Sequence, residues 1–235
     1  MHTRISLRLL LLAFTLEGFA CSDDGGSSNI DGGGGGTVDA NPSAPDARVG
    51  PDAMPNTTMS FFVTSVGNGA QGGNLGGLGG ADSKCQALAG AAGGGARTWR
   101  AYLSTDNPVV HAKDRIGTGP WFNQAGVMVA TNLTTLHQGV AGLLILTEQG
   151  DVVPADPLDH DILTGSTSDG SLMVDKTCDN WTNSTDSFGA QVGHADIAPE
   201  DLGGESWNSQ HDPQCSREGL ASTAGTGRIY CFAIN

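Results

Sequence analysis

Two stretches of this sequence gather side chains able to bind cations or handle protons. The first holds His194, Asp196, Glu200, Asp201, Glu205, Asn208, His211 and Asp212. Carboxylate and amide oxygens at that density suit a hard divalent ion such as calcium. The expected metal set is Asp196, Glu205, Asn208 and Asp212, and calcium is the one cofactor the sequence suggests. The same stretch suits a polar ligand groove, with Trp207 as an exposed aromatic platform and Asn208, His211 and His194 as hydrogen-bonding partners. The second stretch holds Asp156, Asp159, His160 and Asp161. The alternative for the first stretch is a solvated loop of an acidic protein.

Catalytic signatures are missing. There is no His-Glu-x-x-His and no Gly-x-Ser-x-Gly, so no catalytic residue is assigned and the chain is not expected to be an enzyme. Gly72, Gly73, Gly76, Gly77, Gly79 and Gly80 crowd one loop, but no Gly-Lys-Ser/Thr follows them. A phosphate cradle is disfavoured, and a tight turn where backbones approach closely is expected instead.

The elements that must position these residues lie in the C-terminal three quarters of the chain. Arg4 and Arg8, the apolar run Leu9 to Phe14, and the small residues Gly18 and Ala20 before Cys21 have the order of a signal peptide over 1–20. Small residues ahead of a cysteine resemble a bacterial lipobox, which makes Cys21 the expected lipid attachment site. The expected location is the outer membrane or cell surface, with a secreted or periplasmic protein as the alternative. Residues 21–58 are rich in Gly, Pro, Asp and Ser, with little apolar surface to offset the entropy of ordering, and read as a tether.

Residues 59–235 suit one domain. They carry 18 acidic residues against 8 basic ones, a net charge of −10 with histidine neutral. Such a field repels phosphate backbones, so nucleic acid is not an expected partner. The membrane is expected as a partner only through the lipid anchor.

Cys85, Cys178, Cys215 and Cys231 are an even set in an exported chain and read as two disulfides, with three connectivities open. Strands are expected at Ser60–Val66, Trp99–Ser104, Gly126–Ala130, Lys176–Trp181 and Arg228–Ile234, with a hairpin around Glu148–Asp151. A helix is expected from the capping-box spacing at Ser83–Gln86 to about Ala92, and a helical turn at Ala112–Ile116. The fold class is α+β, with few helices, short antiparallel strands and long loops.

The run Asn74 to Cys85, followed by Thr98 to Ser104, resembles the start of endostatin. Thr177 to Thr182 and Ile229 to Phe232 resemble its later strands. Ala112 to Asn123, His160 to Ser166 and Ser206 to Ser209 are similar to a family of secreted bacterial endostatin-like domains. The resemblance implies a C-type-lectin-like fold with Cys85 bonded to Cys231 and Cys178 to Cys215. It places His160 ahead of a strand turn, orienting a loop by hydrogen bonding. Some endostatin-like bacterial lipoproteins are adhesins, which implies a domain binding a carbohydrate or extracellular protein through the loop between Cys178 and Cys215. The alternatives are a structural envelope protein without a specific ligand and, less favoured, a secreted hydrolase. The sequence departs from calcium-dependent lectins in having Trp207-Asn208-Ser209 where they carry Trp-Asn-Asp, and in lacking their proline triplets.

Overall fold

The computed structural model describes residues 58–138, 144–196 and 206–234. The expected signal peptide, Cys21 and nearly all of the tether lie outside the described residues, as do Glu200, Asp201 and Glu205.

The domain is mixed α and β. Its centre is β9 (Gly225–Ala233), a nine-residue strand. β1 (Phe61–Val63) runs antiparallel to it, with Phe62 opposite Cys231. β2 (Trp99–Ala101) pairs antiparallel along the other edge, with Ala101 opposite the same Cys231. β7 (Asp161–Leu163) pairs with the first half of β9, in parallel rather than antiparallel register. β8 (Val192–His194) closes the sheet, antiparallel to β7. Two small ribbons flank it: β3 (Thr105–Asp106) with β4 (Val109–Val110), and β5 (Trp121–Phe122) with β6 (Met128–Ala130).

Strand periodicity sorts the core into two layers, because successive side chains point to opposite faces. Phe62, Ile229, Cys231 and Ala233 face one layer with Trp99, Trp181 and Ala81. Phe61, Val63, Tyr230 and Phe232 face the other with Tyr102, Trp121 and Trp207. The first layer is covered by α1 (Gly77–Ala91), which buries Ala81, Cys85 and Ala89 at four-residue spacing. The disulfide Cys85–Cys231 staples that helix to β9, and Cys178–Cys215 closes the second loop. By chain-entropy arguments loops of this length contribute roughly 4–5 kcal/mol each.

The helix begins earlier than the capping-box spacing predicts. Its N-cap is Gly76 in left-handed conformation, and Ser83 Oγ donates back to Gly79 O. Asp82 does not cap. Its carboxylate takes the backbone N–H of Ala101 and both Arg100 and Arg115, tying α1 to β2. The glycine loop does bring backbones together: a Cβ at Gly73 would lie 2.2 Å from Cys178 Sγ, and one at Gly72 2.4 Å from Cys215 O. The strand expected at Lys176–Trp181 is instead a left-handed turn, α3 (Cys178–Trp181), with φ of 48 to 65°. Trp181 is fully buried there, donating from Nε1 to Ser104 O. Two short helices complete the fold, α2 (Leu133–His137) and α4 (Arg217–Ala221). Among the described residues no helix is long and apolar enough to cross a membrane.

Candidate functional site

The two polar stretches that lie far apart in sequence meet in space. The antiparallel register of β7 and β8 sets Asp161 opposite His194. A bridge between Val192 and His211 then lays the segment after Trp207 beside β8. That close approach needs Gly193, since a Cβ there would stand 2.0 Å from Trp207 O.

At the centre is the Asp161 carboxylate, with no exposed side-chain surface. His194 Nε2 lies 3.1 Å from its Oδ1, and His211 Nδ1 lies 3.2 Å from its Oδ2. The Oδ1 contact lacks the alignment of a good hydrogen bond. His160 Nε2 is farther from Oδ1, at 3.7 Å. The His160 ring stacks on His194 with centroids 4.2 Å apart, and its Nδ1 bonds Asp196 Oδ1 at 2.7 Å. His211 meets His194 edge-on at 4.7 Å. Burial pushes the Asp161 carboxyl pKa up, but interactions with His194, Thr223 and His211 outweigh it and hold the group below its ordinary value. Donor atoms of Asp161, His194 and His211 all lie within 4.8 Å of one another, and so do those of His160, His194 and Asp196. Each group already holds one histidine–carboxylate hydrogen bond, His160–Asp196 at 2.7 Å and His211–Asp161 at 3.2 Å; the longer bond and the fully buried carboxylate make the first the better cation set.

His211 is the exposed edge of this cluster, with 39% of its side chain accessible. It opens onto a cleft of about 540 Å³ lined by Gln210, His211, Asp212, Pro213, Gln214, Ser222 and Thr223. Asp212 is at the cleft rim, paired with Lys176 at 2.8 Å, which holds its carboxyl pKa below the usual range.

The residues expected to bind a ligand or calcium divide sharply. His194 and His211 belong to the cluster and Asp196 buttresses it. Trp207 is no surface platform: it is 3% exposed, packs on Tyr102 and Tyr230, and donates from Nε1 to Leu136 O. Asn208 is wholly buried, its amide donating to Tyr102 Oη and Thr167 O. Its Oδ1 accepts from Ser206 Oγ at 2.6 Å, so the side chain has no oxygen to offer a solvent-side ion. Glu205 lies outside the described residues. With Asp196 on His160, Asp212 on Lys176 and Asn208 in the core, these three are not gathered into an oxygen cage. His160 stands just before β7 and hydrogen-bonds Asp196. Asp159 pairs with Arg228, and Asp156 is exposed. The pairing of the two His/Asp stretches was missed because it depends on strand register across 33 or more residues; the doubled His/Asp signal was visible, its convergence was not.

Compared with known proteins, the chain matches no protein-family model and no curated sequence.

Proposed function

We propose that this chain is an exported, lipid-anchored surface protein whose C-type-lectin-like domain binds a carbohydrate or extracellular protein through the segment between Cys178 and Cys215. The observation that supports this best is the cleft at Gln210–Gln214. Its volume of about 540 Å³ is in the range of small-ligand sites. Its lining of amides, hydroxyls, an imidazole and a carboxylate suits a polyhydroxyl ligand better than an apolar one. The Cys178–Cys215 disulfide and the Lys176–Asp212 pair hold one wall in place, which lowers the ordering cost of binding. All four cysteines of the domain are in disulfides. Cys21 would carry the anchor and residues 22–58 the reach.

The test is a glycan array probed with the full chain, disulfides formed. Binding to a glycan class that falls at least 10-fold in Asp212→Ala and Gln214→Ala supports the cleft. Binding to immobilised extracellular matrix protein with the same sensitivity would select the protein ligand instead. No binding to either sinks the reading in favour of a structural envelope role. Cys21→Ser is expected to release the protein from the membrane fraction.

A further inference from the structure

We propose that Asp161, His194 and His211 form a binding site for a divalent transition metal of the zinc class, with an open coordination position facing the Gln210–Gln214 cleft. Four observations carry it. The first is donor geometry. Bonds of about 2.0–2.1 Å from zinc to imidazole nitrogen and carboxylate oxygen give tetrahedral edges of about 3.3 Å. His194 Nε2 lies 3.1 Å from Asp161 Oδ1 and His211 Nδ1 3.2 Å from Asp161 Oδ2, on the two oxygens of one carboxylate, and one donor atom from each residue lies within 4.8 Å of the others. The donors would close by no more than about 1.5 Å to share one ion.

The second is donor type. Two imidazoles and one carboxylate suit zinc and its neighbours, whereas calcium is held by oxygen. This turns the cation away from calcium and away from the expected Asp196, Asn208 and Asp212 oxygens.

The third is charge. The other buried aspartates each face a guanidinium: Asp82 faces Arg115 at 2.8 Å, and Asp159 faces Arg228 at 2.6 Å. Arginine stays charged at any working pH. Asp161 is at least as buried as either and faces the imidazoles of His160, His194 and His211 instead. A divalent ion held there would set a permanent positive charge beside it.

The fourth is support around the donors. The His160 ring, fixed by Asp196, lies flat against His194 and sets its plane. Stacking of this kind restricts rotation of the His194 ring. His160 and Asp196 are positioning residues here. Three protein donors leave a position for an exogenous ligand, as in zinc sites that exchange water. His211 is both a donor and part of the cleft wall, so that position faces the cleft. An oxygen donor of a bound ligand would complete the coordination sphere, a part of the inference that rests on the cleft being a ligand site. The metal site itself does not.

The experiment is titration of the full chain, disulfides formed, with zinc alone by calorimetry and with cobalt(II) by visible absorption. One ion bound per chain, with the intense d–d bands of a tetrahedral cobalt centre, is expected. His211→Gln, at the exposed edge, and His194→Gln are each expected to weaken zinc binding at least 100-fold, with near-ultraviolet circular dichroism confirming that the fold survives. Azide added to the cobalt form is expected to shift the d–d bands, and unchanged bands would overturn the open position. Binding that is absent from the wild type, or unaltered in both histidine variants, would overturn the site. Asp212→Asn is expected to keep zinc, so loss of glycan binding in that variant with zinc retained separates failure of the cleft from failure of the metal site.

Discussion

Asp159 and Asp161 stand two residues apart, both buried, yet their surroundings have opposite logic. Asp159 accepts Arg228 Nε at 2.6 Å and the Thr226 hydroxyl at 2.9 Å on both oxygens. Arg228 also donates to Thr64 O, so the pair locks β9 to the chain beyond β1. Its charge is compensated permanently by a group that never titrates in the working range. Asp161 faces imidazoles instead, and donor atoms of Asp161, His194 and His211 lie within 4.8 Å of one another. The difference separates a carboxylate held by a guanidinium from one ringed by histidines. Asp82, bound by Arg100, Arg115 and the Ala101 amide, belongs with Asp159.

That contrast can be broken in four ways, and the largest effect is on the permanent pair. Arg228→Met leaves a buried carboxylate uncompensated and is expected to cost about 3–5 kcal/mol in urea denaturation at pH 7, equally with zinc or with chelator. A loss under 1 kcal/mol would remove the distinction. Next comes the conditional site. Zinc at 100 times its dissociation constant is expected to stabilise the wild type by about 2.7 kcal/mol. His211→Gln is expected to lose that gain while changing chelated stability little, and an equal zinc gain in the variant would place the ion elsewhere.

Lys84 offers a third test, because it is an adjustable cation beside the permanent pair. Burial first, and the charge of Arg228 second, lower its pKa from 10.5 to about 8, against an opposing pull from Glu148. Its ammonium donates to Gly67 O at 2.9 Å. Between pH 8 and 10.5 the unfolded chain therefore binds more protons than the folded one, and stability rises with pH across that window. Below pH 8 both states hold the proton and the slope vanishes. Lys84→Met is expected to abolish the rise, measured as the difference from wild type, of roughly 1–2 kcal/mol, about half the full difference between 10.5 and 8 because solvent screens the partly exposed ammonium. The smallest effect is at Asp161 itself. With chelator present, Asp161→Asn is expected to shift stability by no more than about 1 kcal/mol, since an amide can still bond the imidazoles. A loss as large as that of Arg228→Met would show that the histidines compensate Asp161 as fully as arginine does.

Much of the frame was legible from residue types. The Phe-rich opening strand, the closing strand through Tyr230 and Phe232, the turn at Ala112–Asp114 and the hairpin around Gly150 all follow local pattern. The two disulfides followed from the even cysteine count, while their pairing came from resemblance and agrees with the structure. Local signals failed where long-range contacts dominate. Asp82 stands beside the Ser83–Gln86 capping-box spacing, but its partners Arg100 and Arg115 lie 18 and 33 residues away. Trp207 sits in a polar stretch and reads as exposed, but Gly193 lets its segment press against β8 and sink the indole beneath Tyr230.

By itself, then, the sequence determined the acidic charge, the cysteine set, the alternation that makes two core layers and the presence of two His/Asp-rich stretches, because each is a property of composition or of neighbours along the chain. Only the tertiary structure decided that those stretches are one site. Asp161 meets His194 through strand register and His211 through a bridge 50 residues on. A shift of one residue in that register would turn each side chain to the opposite face and scatter the donors.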